Sequence, residues 1–295
     1  PEADIDPDDD ACIFYTSGTT GAPKGAQLTH RGSIHNLLNL AFMTGVAGLA
    51  GAKAAAAAGS EPPAPADPEK QNVFMAPTPL FHVTANNCLL HPATISGSKI
   101  VLTYKWDAAR ALELIEREGV TNFSGVPTMT REMLMHPDWQ TRDTSTLAGL
   151  GGGGAPLQPD LVEKIDKSQS GTSPSTGYGL TETHGIVTAN SGALYVAKPA
   201  SCGRIVPTLD GKLIDEAGNA VPNSGVGELC VRGAVVIKGY LNREESTAEA
   251  IQDGWFRTGD IATIDEDGYV FIVDRAKDMV LRGGENIYCS EVETA

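Results

Sequence analysis

The first apolar run lies at 11–16 (ACIFYT), is rich in strand-forming residues, and breaks at Ser17 and Gly18, a loop signal. Thr29 then stands where a helix cap would, and Ile34, Leu37, Leu38, Ala41 and Phe42 follow at i, i+3, i+4, i+7 and i+8. That spacing predicts a helix with one apolar face, ending at Gly45. The next stretch, 46–71, is dominated by Ala, Gly and Pro. Its EPPAPADP segment cannot continue a helix, so 46–71 reads as a mobile surface insertion that carries no chemistry.

From 72 to 195 strand-like and helix-like patterns alternate. Strands are expected at 72–76, 99–103, 120–126 and 147–150. Helices are expected at 83–96, at 108–118 behind a cap at Asp107, and from Pro127 to about Met135. This alternation predicts an α/β fold, a parallel sheet with crossover helices, whose ligands gather at the carboxyl ends of strands. The Gly-rich stretches at 17–25 and 151–154 both follow expected strands. Beyond about 195 the pattern changes. Asp210-Gly211, Ala217-Gly218-Asn219, Asp253-Gly254 and Asp267-Gly268 punctuate short β-prone runs, which predicts antiparallel sheet or a small β-barrel. Ser290 followed by Glu293 is a capping box that announces a helix, and the chain stops at Ala295 before that helix can complete. With Pro1 at its start, the chain reads as a fragment of something longer.

Composition narrows the class. The chain has 295 residues, 41% apolar and 20% charged, enough to bury a sizeable globular core in about two domains. No run of about 18 wholly apolar residues appears, so no integral membrane segment is expected. Five cysteines at 12, 88, 202, 230 and 289 are odd in number, widely spaced and without CxxC. They argue against a disulfide framework or a zinc site, and a cytoplasmic location is expected. The net charge is −15. Glu2, Asp4, Asp6, Asp8, Asp9 and Asp10 crowd the start, read as a solvated approach to the first strand. This acidity excludes a nucleic-acid partner or an anionic membrane surface from the expected functions. It also means that a bound polyphosphate needs local cations, which Lys24 and a Mg²⁺ ion would supply.

The candidate chemistry centres on 15–25, YTSGTTGAPKG. Glycines let backbone N–H groups turn toward an anion, hydroxyls donate further bonds, and Lys24 adds charge. The pattern is not a P-loop, because Gly25 rather than Ser or Thr follows Lys24, and it is not a dinucleotide fingerprint. An ordinary Gly/Ser/Thr turn is the competing reading. The histidines at 30, 35, 82, 91, 136 and 184 form no metal-binding pattern.

The segment resembles the signature of the adenylate-forming superfamily: acyl-CoA synthetases, firefly luciferase and the adenylation domains of peptide synthetases. Four further segments match in order: GGGGAP at 151–156, YGLTE at 178–182, WFRTGD at 255–260 and DRAKDMVLRGGENIYCSEVE at 274–293. Details such as PLFHVT and GVPTM look most like bacterial fatty-acyl-CoA synthetases. The resemblance implies ATP, Mg²⁺ and coenzyme A as cofactors, and a small-molecule carboxylic acid as substrate. It implies an acyl-adenylate intermediate that passes to coenzyme A, and it leaves room for a homodimer. It implies that Thr16, Ser17, Gly18, Thr19, Thr20, Gly21 and Lys24 hold the β- and γ-phosphates. Gly153, Gly154, Ala155 and Pro156 would lie on the adenine side, with Tyr178 stacked on the base beside Gly179. Thr181 would touch the α-phosphate and Glu182 would ligate Mg²⁺. Asp260, Ile272 and Arg275 would face the ribose, Lys277 would sit at a hinge, and Gly283 and Gly284 would lie near the pantetheine tunnel. His82 would gate the carboxylate. Val83, Thr84, Ala85, Gly125, Val126 and the glycines at 151–154 would line the acyl pocket.

The implied division is as follows. Residues 1–45 end a first α/β subdomain that carries the phosphate loop, and 46–71 are the insertion. Residues 72–195 form a second α/β subdomain, 196–274 a β-barrel subdomain, and 275–295 a hinge and the start of a C-terminal domain. The family's upstream α/β segment and its C-terminal lysine are not in this sequence, so the chain alone is expected to adenylate poorly. Two other readings stay open: acid adenylation for a carrier protein, and a non-catalytic module that binds ATP or an acyl-adenylate.

Overall fold

The computed structural model describes residues 4–16, 22–61, 70–155, 157–168, 171–222 and 224–275, and the backbone alone of 280–282 and 285–287. The expected capping box at Ser290 and Glu293 lies outside them.

β1 (Asp10–Thr16) and β2 (Lys24–Thr29) pair antiparallel, with Thr16 opposite Lys24. The expectation of a loop leading straight into a helix is therefore corrected, since the segment 17–23 joins two strands of a hairpin. β2 escapes a periodicity search because it is six residues long and shows only Ala26 and Leu28 as an alternating apolar pair. Both are fully buried against Phe14, Val83 and Ile237.

Thr29 does cap the next helix, α1 (His30–Ala57), by accepting the Gly32 N–H at 3.0 Å. The helix does not end at Gly45. It runs 28 residues, through Gly45, Gly48 and Gly51, into a stretch read above as an insertion. Each glycine costs roughly 1 kcal/mol in a helix interior, and the alanines around them are the best helix formers. Its expected apolar face is also turned the other way: Ile34, Leu38 and Phe42 are 53%, 58% and 54% exposed, whereas Ser33, Asn36 and Asn39 are buried. Asn36 Nδ2 donates to the Asn87 carbonyl at 3.1 Å and Asn39 Nδ2 to Thr208 Oγ1 at 2.7 Å, and these bonds fix which face looks inward. By length and composition alone α1 is long and apolar enough to cross a membrane, an 18-residue window of it having a mean hydropathy of 1.4.

The alternating region follows. β3 (Val73–Ala76) leads to α2 (Val83–Ala85), one π turn at Asn86–Leu90, and α3 (His91–Ile95). The π turn has a local cause: Pro92 has no N–H for the carbonyl four residues back, and the His91 N–H reaches five back, to Asn86. Next come β4 (Lys99–Leu102), α4 (Ala108–Glu118), β5 (Asn122–Gly125), α5 (Pro127–Met135), β6 (Gly149–Gly153), α6 (Pro159–Asp166) and β7 (Ser173–Tyr178). α4 starts as expected, with Asp107 accepting the Arg110 N–H, and it ends at Gly119, whose φ of 66° is the left-handed form. β4, β3, β5, β6 and β7 are parallel neighbours in that order. Leu112, Ile115, Met133, Leu161 and Ile165 from α4, α5 and α6 are fully or almost fully buried against this sheet, together with Leu150 of β6. Truncating any one of these to alanine would cost about 2–5 kcal/mol.

The rest is β8 (Thr188–Ser191), α7 (Gly192–Ala197), β9 (Gly203–Ile205), β10 (Leu209–Ile214), β11 (Ala220–Val221), β12 (Gly227–Gly233), β13 (Gly239–Tyr240), α8 (Glu244–Ala250), β14 (Ile251–Gln252), β15 (Trp255–Ile264) and β16 (Tyr269–Arg275). The expected antiparallel pairing is present. The strands extend the parallel region into a single 13-stranded sheet, ordered β11-β10-β12-β15-β16-β9-β8-β7-β6-β5-β3-β4, with β14 on β15. Among the described residues no pairing closes them into a barrel. β13 instead pairs with β2, which ties the first hairpin to the antiparallel half.

Candidate functional site

A cleft of about 610 Å³ opens where β1, α1, the carboxyl end of β6 and the turn after β7 meet. Its floor is made possible by glycine. A Cβ on Gly151 would stand 1.8 Å from the Ser175 carbonyl oxygen, and one on Gly152 would stand 1.7 Å from that of Gly125. Neither backbone oxygen can yield, so β5, β6 and β7 close up only around bare glycine. The sequence pattern predicts that the glycines at 151–154 follow a strand, whereas 149–153 is the strand itself.

Thr16, His82, Gly153, Gly154, Gly179, Thr181, Glu182 and Arg275 all wall this cleft. They come from five separate stretches of sequence, and the fold brings them to one place. Val83, Thr84 and Gly152 are there too, whereas Ala85, Gly125 and Val126 are not among its walls. Ala155 is exposed and is not among the cleft's walls. Lys24 is half-buried at the start of β2, with Nζ 5.2 Å from the Tyr240 ring centre. Ile272 of β16 packs on the antiparallel core and pairs with Ala262. Ser17, Gly18, Thr19, Thr20, Gly21, Pro156, Lys277, Gly283 and Gly284 lie outside the described residues.

The YGLTE segment gains its geometry from two carboxylates. Tyr178 Oη donates to Asp260 Oδ2 at 2.6 Å, and Asp260, 5% exposed, lies 3.5 Å from Arg275 Nε through its other oxygen. Burial first, then the Asp260 charge, pushes the Tyr178 hydroxyl well above its ordinary value, so it stays a donor. Asp260 is fixed from behind as well, its N–H donating to Thr258 Oγ1 at 3.1 Å. Glu182, 8% exposed, sits in a short turn at Thr181–Thr183, where Oε1 accepts the Tyr240 hydroxyl at 2.8 Å. His82 is exposed and caps α2, its Nδ1 accepting the Thr84 N–H at 3.2 Å.

Two residues that the sequence did not single out help to hold this site. His184 is fully buried in the left-handed conformation, at φ 55°. Its Nε2 accepts the Thr29 N–H at 3.0 Å and its Nδ1 donates to the Val235 carbonyl at 2.7 Å, which requires the neutral ring. Burial lowers its pKa accordingly. Tyr240 is the other. His184 had only its adjacency to YGLTE as a signal and Tyr240 had none, because their partners lie 155, 51 and 58 residues away in sequence.

The AMP-binding enzyme family model matches residues 1–241. A feruloyl-CoA synthase from Amycolatopsis is 38% identical over 99% of this chain and 55% of its own length. A long-chain-fatty-acid–CoA ligase of Escherichia coli is 36% identical over 97% of this chain and 48% of its own. Among solved structures, the Bacillus subtilis o-succinylbenzoate CoA synthetase in complex with ATP and magnesium superposes with a TM-score of 0.81 at 29% identity, covering 100% of this chain and 56% of that one. The ATP-bound MatB of Rhodopseudomonas palustris gives 0.81 at 29% identity, over 99% and 53%. The chain thus spans about half the length of the relatives it matches.

Proposed function

This chain belongs to the AMP-binding enzyme family, and from that premise we propose that it supplies the nucleotide site of an AMP-forming acid–CoA ligase. A substrate carboxylate oxygen attacks the α-phosphorus of ATP, and pyrophosphate leaves with the electron pair of the broken P–O bond. The coenzyme A thiol, losing its proton, then attacks the acyl carbon, and AMP leaves. The first step must bring an anion to a polyanion, so positioning and charge neutralisation carry the catalysis.

The observation that carries the reading is the convergence of Thr16, Thr181, Glu182 and Arg275 on one cleft, with Asp260 buried beside it. Thr16 and the loop through Lys24 hold the β- and γ-phosphates, and Thr181 holds the α-phosphate. Asp260, fixed by the Tyr178 hydroxyl, is the group that this reading assigns to the ribose hydroxyls. The Tyr178 hydroxyl is committed to Asp260, which leaves the ring for stacking on adenine. Arg275 ends β16, and this reading assigns Lys277, two residues further along the sequence, to a hinge.

Among the described residues no three His, Cys, Asp or Glu side chains converge on a metal position. Glu182 offers one hard oxygen donor at the cleft, which suits Mg²⁺ completed by substrate phosphate oxygens. Such an ion would neutralise phosphate charge.

The acid is a medium- or long-chain fatty acid on the leading reading, because Leu40, Met43, Val83 and Ile186 give the cleft an apolar wall. An aryl acid is the second reading, favoured by the 38% identity to a feruloyl-CoA synthase. Free Cys12, Cys88, Cys202 and Cys230 support a reducing cytoplasm. Pyrophosphate release by the full-length protein, with octanoate, palmitate, ferulate and 4-coumarate, separates these. No release with any acid would sink the enzyme reading. Release with the cinnamates alone selects the aryl acid, and acyl-adenylate that persists in coenzyme A selects a carrier protein as acceptor.

A further inference from the structure

Glu182 is tied to one distant segment at both ends. Its backbone carbonyl accepts the Ile237 N–H at 2.9 Å, and its Oε1 accepts the Tyr240 hydroxyl at 2.8 Å. No hydrogen bond to the other oxygen, Oε2, occurs among the described residues. Tyr240 is itself held firmly. Its N–H donates to Thr247 Oγ1 at 2.9 Å, it pairs with Ala26 in β2, and the Leu241 N–H donates to the Gly25 carbonyl at 2.8 Å. Lys24, the first residue of β2, stands over the Tyr240 ring at 5.2 Å. One phenol therefore lies between the cation of the candidate phosphate loop and the one carboxylate of the candidate metal site.

A carboxylate on a free side chain rotates and offers either oxygen. A donor locked to one oxygen removes that freedom and leaves the second oxygen as the acceptor for an incoming cation.

We propose that Tyr240 is a positioning residue that fixes the Glu182 carboxylate with Oε2 toward the cleft, and so sets the affinity of the nucleotide site for its divalent cation. This rests on the reading of Glu182 as a cation ligand. The contact itself joins residues 58 apart in sequence.

The test is Mn²⁺ binding by the full-length protein in the presence of a non-hydrolysable ATP analogue, read from the electron paramagnetic resonance signal of free Mn²⁺. No turnover is needed. Tyr240→Phe keeps the ring beneath Lys24 and removes only the donor, so it is expected to fold. It should weaken Mn²⁺ binding by about tenfold, the scale on which groups behind a metal ligand act. Affinity for the metal-free analogue should stay within about twofold of wild type, a split that a merely unstable loop would not give. Glu182→Gln is measured alongside. If Glu182→Gln binds Mn²⁺ as well as wild type, the cation-ligand reading of Glu182 fails, and the proposal with it. If Glu182→Gln is weakened while Tyr240→Phe matches wild type, that reading stands and the role of Tyr240 is overturned.

Discussion

The Tyr178 hydroxyl and the Asp260 carboxylate meet at 2.6 Å across 82 residues of sequence, joining the YGLTE turn to the WFRTGD strand. The bond crosses the boundary between the parallel and antiparallel halves of the sheet, so each half sets the position of the other's candidate nucleotide residue.

Tyr178→Phe removes this donor and keeps the ring. Asp260 retains its contact with Arg275, so it is not orphaned. A stability loss of about 1.5 kcal/mol is expected from thermal or urea unfolding, the low end for one hydrogen bond to a charged group. On the proposed function, the KM for ATP rises more than kcat falls. Asp260→Ala, which also removes the partner proposed for the ribose, should raise that KM further.

Gly32→Ala should be much more damaging than its place in a helix suggests. A Cβ there would lie 2.2 Å from His184 Nε2, and the ring is pinned on both sides. A loss of about 2–3 kcal/mol is expected. Gly45→Ala in the same helix has open space around it and should be stabilising by up to about 1 kcal/mol. Parallel unfolding curves of the two variants check this.

His184 gives the protein an acid sensitivity of known sign. Its folded pKa lies below the ordinary 6.5, so the unfolded chain takes up its proton first as the pH falls. The stability it contributes is complete above about pH 6.5 and is lost as the pH falls from there through the depressed folded value. The melting temperature should drop between pH 7.5 and 5.5. His184→Gln should start lower and show a shallower drop. His91, also depressed by burial, titrates in the same window and is common to both proteins. Equal slopes would refute the assignment.

Leu38→Gln and Phe42→Gln test the orientation of α1. Both side chains are more than half exposed, so each variant should unfold within about 0.5 kcal/mol of wild type. A loss of several kcal/mol, measured by denaturant titration, would mean that the apolar stripe lies in a core after all.

Gly152→Ala should abolish the folded cleft. The new methyl group would meet the Gly125 carbonyl oxygen at 1.7 Å, and two paired strands cannot separate without losing their ladder. A loss of about 3 kcal/mol or more is expected, seen as insoluble protein or a melting temperature lowered by many degrees.

Local signals determined a good deal in this protein. The Asp107 cap, the Gly119 stop, Pro127 at a helix start and the strand–helix alternation between 72 and 153 all follow from near-neighbour chemistry, and they appear in the structure within a few residues. The ordered motifs were enough to place the chain in its family. Tertiary structure alone decided three other things. β2 is too short to show a period, and only its pairing with β1 and β13 makes it a strand. The stripe Ile34, Leu38 and Phe42 is a true helical periodicity, but periodicity reports a face and not its partner; Asn36, Asn39 and Gly32 turned that helix over by bonding or fitting distant groups. His184 and Tyr240 became visible only when residues far away in sequence came within 3 Å of them. The physical reason is common to all three. Propensity, capping and alternation act over a few residues, whereas the direction of a face and the partner of a buried polar group are fixed by contacts that exist only after the chain has folded.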